Sequence, residues 1–222
     1  MFDFLDGYDV LGAFWMTVKL TVLSAVASLI WGTVLAAMRV SPVPLMRGFG
    51  TAYVNIVRNI PLTLIIVFSS LGLADIFGMT MGASDFDVQG FRLAVLSLAA
   101  YTAAFVCEAI RSGINTVPLG QAEAARAIGM TFRQTLSLIV LPQAGRAVIA
   151  PLGSIFIALT KNATIVGTIG VMEASNAMKQ LINDNGNAVF TIFFVFAGTF
   201  AVVLIPTGYG FGWLANRLAV KR

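Results

Sequence analysis

The chain contains no histidine. That absence removes imidazole acid–base chemistry, serine–histidine triads and histidine-ligated metals. Cysteine is almost missing as well. Cys107 stands alone inside an apolar run, so no disulfide can form within the chain, and its ordinary role is that of a small buried hydrophobe. Charge is scarce: 11% of residues, against about 25% in a soluble domain. There is no glycine-rich loop ending in Lys-Ser or Lys-Thr, so the chain cannot cradle nucleotide phosphates and is expected not to be an enzyme. No tandem repeat, low-complexity stretch or linker divides it, and residues 1–222 read as one domain. The net charge of +4 raises the question of nucleic acid. The basic residues answer it by position: they lie between apolar runs and form no stripe with interleaved aromatics.

What is present is apolar. Hydrophobic residues make up 58% of the chain, in long runs and not in alternating stripes. Runs of about 20 such residues are membrane spans. Five can be drawn, at 11–38, 54–73, 93–110, 147–160 (bending on toward Val171) and 189–215. The expected fold is therefore an all-α membrane protein of about five transmembrane helices. The first run follows Asp3, Asp6 and Asp9, not a basic region, and is too long for a signal-peptide core, so it is expected to be retained.

The loops sort by sign of charge. One side receives Arg39, Arg47, Arg58, Arg111, Arg126, Arg133, Arg146, Arg217, Lys221 and Arg222. The other receives the three N-terminal aspartates, Asp75, Asp85, Asp87, Glu173 and Asp184, with only Arg92 and Lys179 as cations. The positive-inside rule places the first set in the cytoplasm, which puts the N-terminus outside and the C-terminus inside. Trp15 and Trp213 lie near span ends and fit interfacial belts. Lys19, near the outer end of the first span, can snorkel to the interface. Lys161 lies deeper, beside Thr160, Asn162 and Thr164. A charge at that depth needs a cavity or a partner, so this segment either lines a water-filled path or pairs two helices.

The longest hydrophilic stretch, 111–146, faces the cytoplasm and is punctuated as two short helices. Pro118 suits a helix start, Gln121 and Glu123 follow in the first turn, and Gly129 is a natural stop. Thr131 and Gln134 fit a capping box for a second helix. Pro142 is expected to break the chain before the fourth span. Ala122, Ala124 and Ala125 give the first helix a small face on which a partner backbone can approach, while Glu123 and Arg126 share a charged face.

This stretch carries a resemblance. It reads Glu123-Ala124-Ala125, three residues, Gly129, nine residues, Ile139, one residue, Leu141-Pro142, and resembles the cytoplasmic E-A-A signature of ABC-importer permeases at every position. Gln121, the run Pro142-Gln143-Ala144, the run from Glu108 to Arg111, Arg58 with Pro61 and Leu62, and the run from Lys161 to Thr164 extend it over nearly the whole chain. They are similar to the polar amino-acid branch of that family. Asn55 and Ile65 depart from the branch pattern. With Asn59 and the run Leu62-Thr63-Leu64 they are most similar to its glutamate-uptake subgroup.

The resemblance implies a permease subunit that moves a polar amino acid, glutamate first and glutamine or aspartate next, by alternating access. It implies that 111–146 holds a coupling helix on which an ATPase subunit dimer docks, through Gln121, Glu123, Ala124, Ala125, Arg126 and Gly129. ATP and magnesium are then held by that ATPase and not by this chain. A second, related permease chain and an extracytoplasmic substrate-binding protein are implied, and the bilayer is that of the inner membrane. Arg58, Pro61, Lys161, Asn162 and Thr164 are the candidate translocation path. Against this stands an ion-coupled secondary transporter of small solutes, which usually shows internal repeats and several midplane charges. A membrane hydrolase needs a Ser-Lys pair, and Ser154 lies two helical turns, roughly 10 Å, from Lys161.

Overall fold

A computed structural model of the protein describes residues 7–79, 81–82 and 85–218. The topology charges Asp3, Asp6, Lys221 and Arg222 lie outside the described residues. Helix α1 (Val10–Val40) starts at Asp9, whose carboxylate accepts the Gly12 N–H at 2.8 Å. Helix α2 (Pro44–Asn59) leads into α3 (Leu62–Val67), which widens into a π-helical run, Phe68–Ile76. Helix α4 (Phe86–Asn115) follows. Next come the short helices α5 (Leu119–Ala127) and α6 (Phe132–Thr135) and helix α7 (Leu141–Asn162). Helix α7 tightens into a 3-10 segment, Ala163–Ile169, before α8 (Ala174–Asp184) and α9 (Val189–Leu218).

Among the described residues, four helical stretches are long and apolar enough to cross a bilayer: Val10–Val40, Phe86–Asn115, Phe132–Ile169 and Gly186–Arg217. A fifth crossing comes from a bent pair. The second span does not run straight from 54 to 73 as expected. The chain turns by 104° between α2 and the stretch Leu62–Ile76. Proline is the cause. Pro61 forces Ile60 into extended backbone (φ −92°, ψ 132°), and the helix restarts at Leu62. Hydropathy blurred this boundary because α2 is amphipathic: Val54 is buried while Leu45, Phe49 and Ile56 are exposed.

A second expectation fails at Pro142. The proline does not break the chain. A wide turn at Leu136–Val140 carries α6 into α7, with the Leu141 N–H reaching back to the Leu136 carbonyl. A proline early in a helical stretch loses little, because the wide turn has already disturbed the bond its N–H would make.

Helix α4 is the central post: 61% of its apolar window is buried, against 11% for α9. It meets α1 through small residues. Ser24 donates to the Val95 carbonyl at 3.3 Å, and Gly32 lies so close to α4 that a Cβ there would sit 2.7 Å from Val106 Cβ and 2.8 Å from the Ala103 carbonyl. Lipid gives helices no hydrophobic reason to associate, so close backbone approach does the work. Gly32→Val is accordingly expected to part α1 from α4 and cost about 2–3 kcal/mol by overpacking. A fall in the unfolding midpoint of the purified protein in detergent measures it, and an unchanged midpoint refutes the tight crossing.

Candidate functional site

The short-helix element between α4 and α7 is built by local chemistry at both ends. Pro118 (φ −60°, ψ 131°) caps α5, and the Gln121 N–H closes onto its carbonyl at 3.0 Å. At the other end the Gly129 N–H bonds to the Arg126 carbonyl at 3.0 Å, and the Met130 N–H to the Ala125 carbonyl at 3.1 Å. This is the paired bonding of a Schellman stop, and it requires Gly129 at φ +89°. Two residues on, the capping box forms as expected. The Thr131 N–H donates to Gln134 Oε1 at 2.9 Å, and the Gln134 N–H to Thr131 Oγ1 at 3.3 Å. Two caps separated by so short a turn make α5 and the start of the fourth span one stiff bracket.

The faces of α5 divide clearly. Ala125 is buried against the chain itself, so it holds α5 in place and presents nothing to a partner. Gln121 is tied to the base of α7, where Gln143 Nε2 donates to its side-chain oxygen at 2.6 Å. Glu123, Ala124, Arg126 and Gly129 are exposed. So are two large apolar residues the sequence reading passed over, Leu119 (79% exposed) and Ile128 (81%). Their signal was visible: each is a lone bulky apolar residue at one end of a helix otherwise made of small and polar ones. Beside α5 a cleft of about 670 Å³ opens between Pro118, Gln143, Arg146 and the end of α9.

Arg58 is held in an ionic knot. Glu108 pairs with Arg39 and lies 3.7 Å from both Arg58 and Arg111. The pairing with Arg111, three residues along one helix, was legible in the spacing. The arginines from α1 and α2 were not, since they arrive only through packing. Arg58 also covers the Phe105 ring, 5.6 Å from its centroid.

At the C-terminal end of α7 the helix tightens into the 3-10 segment, which Gly170 (φ +85°) ends. Thr164 Oγ1 donates to the Lys161 carbonyl at 2.7 Å. Pro61 sets the start of α3, whose Leu62 and Ile66 pack with Leu159 and Ala163. The neighbours Lys161 and Asn162 face different spaces. Lys161 opens on a groove of about 900 Å³ between α7 and α9, beside Tyr209, Trp213 and Asn216. Asn162 lines a cavity of about 340 Å³ with Tyr101, Thr102, Phe105 and Ser154. Phe105 carries Arg58 above it, so Arg58 and Asn162 belong to one side of the molecule and Lys161 to another.

Known proteins share this architecture. The chain is 51% identical over 220 residues to the glutamate transport system permease protein GluC of Corynebacterium efficiens, covering 97% of this chain and 96% of that protein. It is 34% identical over 218 residues to the probable glutamine ABC transporter permease protein GlnM of Bacillus subtilis, covering 98% and 96%. The crystal structure of an amino acid ABC transporter with histidines superposes with a TM-score of 0.84 at 27% identity, over 94% of this chain and 93% of that one. A sequence profile for the binding-protein-dependent transport system inner membrane component matches residues 28–219, and the chain belongs to that family.

Proposed function

We propose that this chain is a permease subunit of an ATP-driven importer that carries glutamate into the cytoplasm, with glutamine and aspartate as neighbouring substrates. The observation that carries the substrate is the 51% identity, over 97% of the chain, to a glutamate transport system permease protein. In this reading residues 1–222 form one permease domain, with the N-terminus outside and the C-terminus in the cytoplasm. The loop 111–146 is its coupling element. An ATPase dimer seats against α5 at Gln121, Glu123, Ala124, Arg126 and Gly129, with Ala125 fixing the helix from behind. The ATPase holds ATP and magnesium. An extracytoplasmic binding protein delivers the amino acid, and a second, related permease chain completes the pathway that five spans are too few to enclose.

The stiffness of the α5–α6 bracket supports the mechanism. Closure of an ATPase dimer under α5 moves it as a rigid body, and α7 follows because no flexible linker intervenes. The candidate path residues then change their access from one side of the membrane to the other, Arg58 and Asn162 on one face of the chain and Lys161 on another. Lys161 supplies a cation for an anionic substrate, and Arg58 a second one toward the cytoplasmic side.

The test is uptake of labelled glutamate by proteoliposomes holding this chain with its partner permease, ATPase and binding protein. Uptake is expected to require internal ATP. Uptake that survives without ATP and collapses with an ion gradient means a secondary carrier instead. Lys161→Met is expected to lower glutamate uptake roughly tenfold, the worth of one charge-assisted hydrogen bond. Unchanged uptake and substrate preference take Lys161 out of the path.

A further inference from the structure

The outer end of the fourth span is fastened by a carboxylate that the steps above leave unused. Glu173 is fully buried, at 0% exposure, between the 3-10 segment Ala163–Ile169 and α8. Its two oxygens accept the Ser175 and Asn176 N–H groups, both at 2.8 Å, and so cap α8. The same carboxylate presses on the 3-10 segment: a Cβ on Gly167 would lie 2.9 Å from Glu173 Oε1, so glycine there leaves the room that the carboxylate fills. The chain returns between them through Gly170 in left-handed backbone. The next residue fastens α8 to α1, as the Ala174 N–H donates to Thr17 Oγ1 at 3.1 Å. The Glu173 side chain thus joins the outer end of the fourth span to α8, and the backbone of the next residue joins α8 to the first span.

The surroundings hold little charge. Lys179, on α8 itself, is the charged group that acts on Glu173. The 3-10 segment offers Gly167, α1 offers Thr17 and Ala13, and α9 packs α8 with Ile192 and Phe196. Burial outweighs the two cap bonds and Lys179, and raises the carboxyl from its ordinary value to about 7.

We propose that Glu173 is a positioning residue for transport: neutral, it locks the outer end of α7 to α8, and ionised, it releases that hinge so that residues 161–164 can move. This rests on the transport reading above. The direction follows from linkage. The packed hinge binds the proton more tightly than an opened one, in which water restores the carboxyl's ordinary affinity. Protonation therefore favours the packed form. That gain is complete below the ordinary carboxyl range and is lost as pH rises through about 7.

The experiment uses the whole reconstituted transporter with saturating internal ATP, external pH stepped from 6 to 8, and the binding protein's own affinity measured at each pH. The ionised share of Glu173 rises from about 10% to about 90% over that window, so wild-type uptake is expected to rise by up to about ninefold. Glu173→Gln is expected to give slow, pH-independent uptake, with a higher thermal midpoint than wild type at pH 8. Glu173→Asp keeps a pH-dependent profile with a shifted midpoint. The proposal is overturned by a glutamine variant that tracks the wild-type profile, or by a wild-type profile that is flat. The second result decides even if the variant fails to assemble. Loss of the co-purifying ATPase from wild type itself would instead count against the importer reading.

Discussion

Gly129→Asp is expected to reduce glutamate uptake at least about tenfold while the spans stay folded, because the substitution strikes the stop of α5 and nothing behind it. Gly129 sits at φ +89°. An L-residue pays about 1–2 kcal/mol there. The added Cβ meets no atom within 4 Å, so the cost is backbone strain and not collision. Unwinding the stop relieves the strain, and that releases the bonds to the Ala125 and Arg126 carbonyls. The new carboxylate also faces the negative end of the α5 dipole, worth a further ~0.3–1 kcal/mol. The bracket then flexes where it should transmit force. The measurement is ATPase co-purification and substrate-stimulated ATP hydrolysis, with Gly129→Asn as control, since asparagine matches aspartate in backbone tolerance and lacks its charge. An aspartate variant that couples as well as wild type would show that the stop geometry carries nothing.

That stop was legible in the sequence because its causes are local. Gly129, Pro118 and the Thr131–Gln134 box each act through residues within four positions, and spacing alone exposes them. Features made by packing were not legible. Ala125 reads as part of a small docking face, yet the fold turns it inward. Glu108 reads as the partner of Arg111, yet α1 and α2 bring two more arginines to it. Hydropathy starts the second span at 54 because it averages amphipathic α2 with the apolar run after it. The signal that separates them, Pro61 and the extended Ile60, was in the sequence. The split between Lys161 and Asn162 follows from helix geometry, since successive residues point about 100° apart at 3.6 residues per turn. Which cavity each one meets still depended on α4 and α9.

The ionic knot carries the second large effect. Glu108→Gln is expected to destabilise the protein by about 1–2 kcal/mol and to lower uptake with it. Three guanidinium groups converge on this one carboxylate, and removing its charge leaves their mutual repulsion unopposed. Arg39 sets most of the cost, since its side chain is only 10% exposed and water cannot take over the lost partner. Arg58 and Arg111 are 44% and 34% exposed and will be partly screened. The loss is structural as well as electrostatic. Arg39 belongs to α1, Arg58 to α2 and Glu108 to α4, so the knot ties the elbow before the second span to the central post. Freed from it, Arg58 no longer has a fixed seat over Phe105, beside the cavity that Asn162 lines. The thermal midpoint is expected to fall by several degrees, less so in high salt, where the exposed arginines are screened. Arg39→Met added to Glu108→Gln should recover part of the stability, because a neutral, well-filled pair replaces the buried, uncompensated cation. If the double variant is no better than the single one, repulsion among the arginines is not the cause. The carboxylate's hydrogen bond to Arg39 would then account for the loss, since glutamine offers that guanidinium a weaker acceptor.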